Sequence, residues 1–411
     1  MYHGSKNNCP SFFIMAIKIL EIDIAEELLP IEVTGGYDEY RLLVRIGRQP
    51  AGWITVTAKG ASVITPSQLH KLIQHKLSWQ VKQHGLAAYL ASAACSAGNN
   101  AGPFISVVVC TRDRTAQLAV CLQSLLAVQY TNFEIIVVDN APSGTATFNL
   151  VKNLNVRYVC ENRPGLNNAR NRGIEAARYD IIAFTDDDVC VDRYWLQAIA
   201  KAFTNEEVMA VTGYVAPAEL ATTAQSIFEL DYGGMGQGFN QRIIRQHNLS
   251  AKQLIWASNF GIGANMSFRR GVFSKTGGFD PALDVGTPSG GGGDIEMFHR
   301  LVSKGFTLVY DPCVIVWHTH RKDMPGLKKQ IFNNGRGFGC YLISSVNKGS
   351  VKSSAALKFL LINWFYKWNL RNLLKSKIPK QLSLAELYGM LTSPAAYKKS
   401  QAYAKEQAAL K

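Results

Sequence analysis

Residues 104–110 read FISVVVC and residues 133–138 read FEIIVV, and each of these apolar runs is followed by a helical pattern. Continuous apolar strands are buried on both faces, as in a parallel sheet with helices above and below it. Further strands are predicted at 156–159 and 180–184. The sequence therefore predicts an α/β core of alternating strands and helices.

The residues before this core follow a different pattern. Apolar residues alternate between Ile17 and Val56, a helical stretch runs from Ser67 to Ala91, and small residues at 92–103 mark a boundary. The predicted parts of the chain are a disordered leader (1–14), a small β-rich, α+β N-terminal domain (15–100), the α/β domain (101–345) and a basic, amphipathic helical tail (346–411).

The tail carries most of the positive charge. The net charge is +14, and residues 351–411 hold ten Lys and one Arg against two Glu, which indicates an anionic partner. A Trp-bearing helical face there would suit an anionic membrane surface, while packing against the core is the ordinary alternative. No nucleic-acid reader motif is found, so we expect no nucleic acid partner. The face is formed by Leu357, Leu361, Trp364, Phe365 and Trp368.

Two further features bear on location. No apolar run reaches the roughly 18 residues of a membrane-spanning helix, and the opening residues lack the basic front of a signal peptide. We therefore expect a cytoplasmic protein, held peripherally on the inner face of the cell membrane.

Polar residues follow three of the predicted strands. In such a sheet ligands bind beyond the carboxyl ends of the strands, which here carry Thr111-Arg112, Asp139 and Asp186-Asp187-Asp188. Three adjacent carboxylates repel one another, and hard oxygen ligands suit Mg²⁺ or Mn²⁺ shared with substrate phosphates. The alternative is a solvated acidic turn that caps a helix starting near Arg193.

The turn after the first strand contains no glycine. Residues 110–114 read CTRDR, which argues against a phosphate-binding loop and against a dinucleotide-binding dehydrogenase. A sugar nucleotidyltransferase would also need a flexible Gly-rich turn there, although it shares the metal and carboxylate chemistry.

Seven motifs, in this order, resemble glycosyltransferase family 2 over about half of the chain. The resemblance implies a GT-A fold, a Rossmann-like, mixed and mainly parallel sheet flanked by helices. The motifs are ISVVVCTR (105–112), IVVDN (136–140), NRPGLNNARNRG (162–173), FTDDD (184–188), GANMSFRR (263–270), GGFD (277–280) and GDIE (293–296).

The resemblance also implies roles for single residues. Asp139 would bind the nucleotide base, Thr111 and Arg112 would line the nucleotide pocket, and Arg170 would shape the donor site.

The acidic triplet matches the family's Asp-x-Asp motif. Asp186 would lie near the ribose and the metal, Asp187 would stand with the donor-binding residues, and Asp188 would be the direct metal ligand.

Asp294 falls where the family places its catalytic base. Family members usually carry Glu-Asp, whereas this chain has Gly293-Asp294, so Glu296 is a candidate for the missing acceptor contact. The competing interpretation makes Asp294 the N-cap of a helix over 295–304. The four glycines 290–293 indicate either close backbone approach and movement or a slack surface linker.

Two histidines follow the apolar strand 314–317. His318 and His320 would lie on one face if the strand continues, and with Arg321 they could complete a metal site or bind the diphosphate. A surface histidine pair is the alternative. Trp256 is a candidate pocket wall, which core packing explains equally well.

Together these features predict an inverting glycosyltransferase. The donor would be a UDP- or GDP-sugar, the cofactor a Mg²⁺ or Mn²⁺ ion, and the acceptor a glycan or lipid-linked hydroxyl. The alternatives are a sugar nucleotidyltransferase and a catalytically inactive binding module of the same fold. An inactive module would be expected to lose the Asp triplet or Asp294, and both are present.

Overall fold

The alternating residues near the start of the chain form a small unit of strands and one helix. The computed structural model describes residues 16–94, 102–375 and 377–409, so the predicted leader and most of the predicted boundary segment lie outside the described residues. The elements are β1 (Ala16–Asp23), β2 (Ile31–Glu32), β3 (Tyr37–Ile46), β4 (Gln49–Thr57), β5 (Val63–Ile64) and α1 (Pro66–Ala94). β3 pairs in parallel with β1 and antiparallel with β4, and α1 covers one face of this sheet.

The apolar runs of the core form the main sheet. Its strands are β6 (Ile105–Thr111), β7 (Phe133–Asn140), β8 (Arg157–Glu161), β9 (Ile181–Asp186), β10 (Val189–Val191), β11 (Val208–Pro217), β12 (Arg242–Ile244), β13 (Asn265–Arg269) and β14 (Thr307–His318). Their order is β10-β14-β11-β13-β9-β6-β7-β8, with β12 beside β14. Within the described residues six of these nine strands run in one direction, which confirms the predicted mixed, mainly parallel sheet.

Helices cover both faces of this sheet. They are α2 (Thr115–Leu126), α3 (Ala146–Val151), α4 (Leu166–Ala176), α5 (Trp195–Ala202), α6 (Thr223–Ser226), α7 (Ala251–Ile255), α8 (Gly271–Thr276) and α9 (Gly293–Ser303). In β6, Val107 and Val109 enter one apolar core while Val108 and Cys110 enter the other. The run is continuously apolar because successive side chains of a strand point to opposite faces, and both faces are buried.

The predicted tail is helical and packs on the rest of the protein. α10 (Met324–Asn347) lies along α13 (Lys380–Ala409), with α11 (Ser353–Lys358), a π-helical segment (Phe359–Leu370) and α12 (Arg371–Lys375) between them. The predicted domain boundary at residue 346 falls inside α10.

The prediction that the tail presents one amphipathic helical face is wrong. Trp364 is buried and Trp368 half-buried, whereas Leu357, Leu361 and Phe365 are exposed. The prediction assumed α-helical spacing, but the π-helical segment has a wider turn and distributes these side chains over two faces.

The N-terminal unit is joined to the main sheet by polar contacts. Arg45 forms a buried ion pair with Asp192 at 3.0 Å, and Trp53 Nε1 donates to the Tyr214 hydroxyl at 2.7 Å. Among the residues described, no helix is long and apolar enough to cross a membrane.

Candidate active site

The acidic triplet forms the turn between β9 and β10. Because β9, β6 and β7 are parallel neighbours, Cys110 lies beside Asp186 and Thr111 beside Asp139, so the three predicted strand ends meet at one edge. α5 begins only at Trp195, after β10. The interpretation of the triplet as a helix cap is therefore wrong.

Arg114 binds two of the three carboxylates of this acidic turn. Its Nη1 donates to Asp187 Oδ1 at 2.6 Å and its Nη2 to Asp188 Oδ2 at 2.8 Å, while the Thr111 hydroxyl donates to Asp187 Oδ2 at 2.8 Å. Burial raises the pKa of Asp187 to about 6 despite these partners. Thr111 and Asp187 thus have internal partners, and their donor-binding roles stay predictions. We call Arg114, Asp186, Asp187, Asp188 and His318 the acidic edge.

Asp186 lies at the open side of the acidic edge. Its side chain is 32% exposed, and its Oδ1 lies 3.8 Å from Nη2 of the buried Arg170. Desolvation raises the pKa of Asp186 to about 7, opposed by Arg170 and reinforced by the other two carboxylates. A cationic ligand or a bound metal would therefore stabilise the ionised form.

Helix α4 holds Arg170 in place. Asn167 Nδ2 donates to the backbone oxygens of Asp280 and Leu283, each at 2.9 Å, and its Oδ1 accepts from Arg170 Nη1 at 3.3 Å. Buried Asp284 accepts from the Asn167 backbone N–H at 2.8 Å. Burial raises the pKa of Asp284 to about 7. Asn167, in the motif at 162–173, thus binds α4 to the loop that precedes α9.

His318 is the last residue of β14, where antiparallel pairing with β10 sets it beside Asp188. Its Nε2 lies 3.4 Å from Asp188 Oδ1, and burial lowers the pKa of His318 to about 4, so the ring is neutral at pH 7. His320 is also buried, so the interpretation as a surface pair is wrong. Across the part of the chain that the structure describes, no three His, Cys, Asp or Glu side chains form a metal-binding group by themselves.

The residues expected at the nucleotide differ in exposure. Asp139 is fully buried and accepts from the Tyr158 hydroxyl at 3.0 Å, and burial raises its pKa. Arg112 is exposed at the end of β6. Both lie at the sheet edge expected for a ligand, and their contacts with a nucleotide stay predictions.

Asp294 lies in the first turn of α9. The helix begins at Gly293 and its N-cap is Gly292, so the interpretation of Asp294 as the N-cap is wrong. Asp294 Oδ2 accepts from the Gly263 N–H and Oδ1 from the Ile295 N–H, both at 2.9 Å. These two bonds orient the carboxylate.

A cavity of about 820 Å³ brings the predicted residues together. Arg170, Asp186 and Asp294 are among its lining residues. The lining also includes Glu386 of α13 and six aromatic side chains, four of which we call the aromatic wall. The aromatic wall consists of Trp256, Phe338, Trp364 and Trp368.

Glu296 does not take part in this lining. Lys348 binds its Oε1 and Arg300 its Oε2, each at 2.9 Å. Both carboxylate oxygens are thus used within the fold, so Glu296 does not supply the acceptor contact considered for it.

Three of the four glycines before Asp294, Gly290, Gly292 and Gly293, are tightly packed. Gly292 has φ +99°, and a Cβ there would lie 2.6 Å from the carbonyl oxygen of Gly337 in α10. Gly292 thus packs closely against the backbone of α10, so the interpretation of the four glycines as a slack linker is wrong.

Three residues of this site escaped the sequence analysis. Arg114 carries a weak signal, since it follows the end of β6 by three residues. Asp284 and Glu386 carry none, because they approach the site from elements distant in sequence.

Comparisons with known proteins identify related glycosyltransferases. Residues 106–277 match the model of glycosyl transferase family 2. Glycosyltransferase AglE of Haloferax volcanii is 26% identical over 243 residues, which are 57% of this chain and 73% of AglE. The glucosyl-dolichyl phosphate glucuronosyltransferase of the same organism is 27% identical over 187 residues, 43% of this chain and 56% of that protein's length.

A crystal structure of residues 1–349 of TarS from S. aureus is also similar. It has a TM-score of 0.47 and 14% identity, and it covers 74% of this chain and 88% of the TarS chain.

Proposed function

Since this chain is a glycosyltransferase of family 2, with a GT-A fold, we propose that it transfers a sugar from a UDP- or GDP-sugar to an acceptor hydroxyl with inversion at the anomeric carbon. The observation that carries the proposal is the single cavity lined by Asp294, Arg170 and Asp186. This cavity brings a candidate base together with Asp186 of the acidic edge.

Asp294 is the proposed general base. Its oxygens each accept one backbone N–H, and a carboxylate oxygen keeps further lone pairs for a substrate proton. It would take the proton of the acceptor hydroxyl while the acceptor oxygen bonds to the anomeric carbon and the bond to the diphosphate breaks. A weak base suffices, because positive charge develops on the sugar before deprotonation is complete. Attack opposite to the leaving group inverts the configuration.

The acidic edge has a donor set that fits Mg²⁺ or Mn²⁺. Asp188 Oδ1 and the neutral His318 Nε2 face each other at 3.4 Å, and Asp186 lies at the same turn. Two or three protein ligands leave coordination positions for the phosphates of a donor. When bound, the cation would stabilise the departing diphosphate. Arg170 and Arg114 add fixed positive charge beside it.

The aromatic wall is the proposed acceptor site. Trp256 and Trp368 are half-buried at the cavity, and the amides of Gln253, Asn333 and Asn334 lie with them. Flat apolar faces beside amide groups suit a sugar ring of a glycan or of a lipid-linked acceptor. The relative with a dolichyl phosphate acceptor in its name favours the lipid-linked class.

The outer surface of the tail supports a membrane as the source of such an acceptor. Leu361 and Tyr366 of the π-helical segment, Leu374 of α12 and Leu391 of α13 are 57% to 69% exposed. The tail is also strongly basic, as an anionic lipid surface requires. We therefore propose peripheral binding to an anionic membrane.

Hydrolysis and transfer assays with UDP- and GDP-sugars test the reaction. Donor turnover that requires Mn²⁺ or Mg²⁺, with release of UDP or GDP and an inverted product, is expected. Release of pyrophosphate from a nucleoside triphosphate and a sugar phosphate would instead identify a nucleotidyltransferase. No turnover or binding of any nucleotide-sugar would favour the inactive module.

Vesicle sedimentation tests the membrane surface. The double variant L361Q/Y366Q should bind vesicles of phosphatidylcholine and phosphatidylglycerol about tenfold more weakly, because exposed apolar area is lost. V120Q on α2 is the control, since Val120 is 52% exposed and lies outside the tail. Equal binding by the wild type and both variants would contradict the proposed membrane surface.

A further inference from the structure

A row of buried polar side chains leads from the acidic edge to the N-terminal unit. His318 Nδ1 lies 3.1 Å from His320 Nδ1, and His320 Nε2 lies 3.2 Å from Glu229 Oε2. Glu229 Oε1 accepts from Arg41 Nη1 of β3 at 3.2 Å. Asp188 stands at the other end, beside His318 Nε2.

The hydrogen bond at the Glu229 end of this row indicates where the protons lie. A carboxylate only accepts hydrogen bonds, so Glu229 requires a proton on His320 Nε2. With that proton at Nε2, His320 presents its Nδ1 as an acceptor, and His318 Nδ1 must donate to it. The proton of a neutral His318 is thereby used at Nδ1, which leaves Nε2 bare toward Asp188.

The contact between His318 and Asp188 agrees with this assignment. Its 3.4 Å lies outside the about 2.7–3.2 Å range of N–H···O hydrogen bonds, whereas the 3.2 Å contact of His320 with Glu229 lies within it. Asp188 is already compensated by Arg114, which binds its other oxygen at 2.8 Å. A lone pair and a carboxylate oxygen therefore face each other without a proton between them, an arrangement that a cation would stabilise.

We infer that Glu229 and His320 are positioning residues that hold His318 in the Nδ1–H tautomer, so that His318 Nε2 and Asp188 Oδ1 are ready to bind one divalent cation. The cation itself rests on the proposed function, whereas the tautomer rests on the hydrogen bonds alone. The N-terminal unit acquires a role from this inference, because Arg41 binds Glu229 and holds it in place.

Neighbouring residues pack closely against the side chains of Glu229 and Arg41. The Arg41 guanidinium lies 4.6 Å from the centre of the Trp53 ring, and Trp53 is itself bonded to Tyr214 of the main sheet. Gly234 has φ +60°, and a Cβ there would collide with the Glu229 carboxylate. Only glycine fits this position without displacing Glu229.

The first experiment uses the metal-free wild-type protein. Imidazole ¹⁵N NMR of ¹⁵N-histidine-labelled protein, with the His318 signals assigned by their loss in His318→Asn, reports which ring nitrogen carries the proton. We expect a protonated Nδ1 and a bare Nε2 at His318. A proton on His318 Nε2 would overturn the inference without any variant that must fold.

The second experiment replaces Glu229, which binds His320 in the row. In Glu229→Gln the amide oxygen is expected to remain with Arg41 and the NH₂ group to donate to His320 Nε2. Every proton in the row then shifts, and His318 acquires an Nε2–H that blocks the cation. We expect the His318 signals to change to the Nε2–H pattern and Mn²⁺ affinity to fall about 10- to 100-fold in the presence of UDP or GDP, whichever the wild type binds.

Glu219→Gln is the matched control. Glu219 precedes the same segment but pairs with Lys322 and Gln225 outside the row, so its variant should keep wild-type signals and Mn²⁺ affinity. A folded Glu229→Gln protein with wild-type signals and affinity would refute the inferred control of the His318 tautomer by Glu229. If the wild type shows the expected tautomer but binds no Mn²⁺ with either nucleotide, the tautomer assignment is supported and the proposed cation is contradicted.

Discussion

The acidic edge and the aromatic wall meet at one cavity but are built differently. The acidic edge gathers the turn after β9, the end of β14 and Arg114, which follows β6, and Arg114 binds two of its three carboxylates. The aromatic wall combines Trp256 with residues of α10 and of the π-helical segment, where apolar area replaces charge.

This difference in composition suits the two regions to different tasks. Charged groups at strand ends are suited to hold a diphosphate and to stabilise its departure, which every nucleotide-sugar requires. An aromatic surface with amides is suited to select an acceptor, whose shape differs between enzymes. Variants of the two regions should therefore affect different kinetic constants.

Asp294 lies between the two regions, and its variant should have the largest effect. Asp294→Asn should lower transfer by about 10²- to 10⁴-fold, because the amide cannot take the acceptor proton. The melting temperature should change little, since one of the two backbone N–H bonds can be kept. Transfer rate and thermal unfolding are measured on the same preparations.

The control for this prediction is Asp180→Asn, an exposed carboxylate remote from the cavity. It should keep wild-type transfer. An Asp294→Asn protein with near-normal turnover would remove Asp294 from the mechanism.

Asp188 tests the acidic edge alone. Asp188→Ala should lower Mn²⁺-dependent affinity for UDP or GDP by about 100-fold or more, since loss of an outer-shell partner alone costs about 10- to 100-fold. Calorimetric titration in Mn²⁺ and in EDTA separates the metal-dependent part. Asp323→Asn, which replaces the N-cap of α10 by an equally good cap, is the control. Unchanged affinity in Mn²⁺ would exclude Asp188 as a ligand.

Trp256 tests the aromatic wall alone. Trp256→Leu should raise the acceptor KM about 2- to 10-fold, the equivalent of one lost aromatic contact, while donor hydrolysis stays unchanged. Trp79→Leu on α1 is the control, because Trp79 is 71% exposed. An equal loss of donor hydrolysis would show that the two regions are not separate in function.

Glu386 should produce the smallest effect, on stability. Burial raises its pKa from the ordinary 4.5 to about 7, so the folded chain holds a proton that the unfolded chain releases. The contribution of this group to stability is therefore greatest below about pH 4.5 and is lost as the pH rises through 7. The amide of Glu386→Gln does not ionise, so the variant does not lose stability as the pH rises. Its melting temperature should exceed that of the wild type by about 2 to 6 °C at pH 8 and by little at pH 5.

The control is Glu406→Gln, a change at an exposed residue near the end of the same helix. Melting curves at pH 5 and pH 8 should be the same for it and the wild type. A Glu386→Gln protein that is less stable than the wild type at pH 8 would contradict the raised pKa.

Sequence alone determined the part of the main sheet from β6 to β9 and the carboxylates of the acidic edge. These strands follow from local apolar runs, and their polar ends are neighbours because parallel strands end on the same side. Asp139, Asp186 and Asp188 could be selected for this reason, whereas Asp294 was selected through the motifs that resemble the family.

Only the tertiary structure decided how the rest of the site is assembled. Arg114 binding across two carboxylates, Glu386 entering the cavity from α13 and Glu229 linking His320 to Arg41 all join segments far apart in sequence. The division of the tail between buried Trp364 and exposed Leu361 depends on a π-helical turn, which the residue pattern does not signal. Periodicity reports which face of an element is buried, whereas the partner that covers that face is chosen by packing of the whole chain.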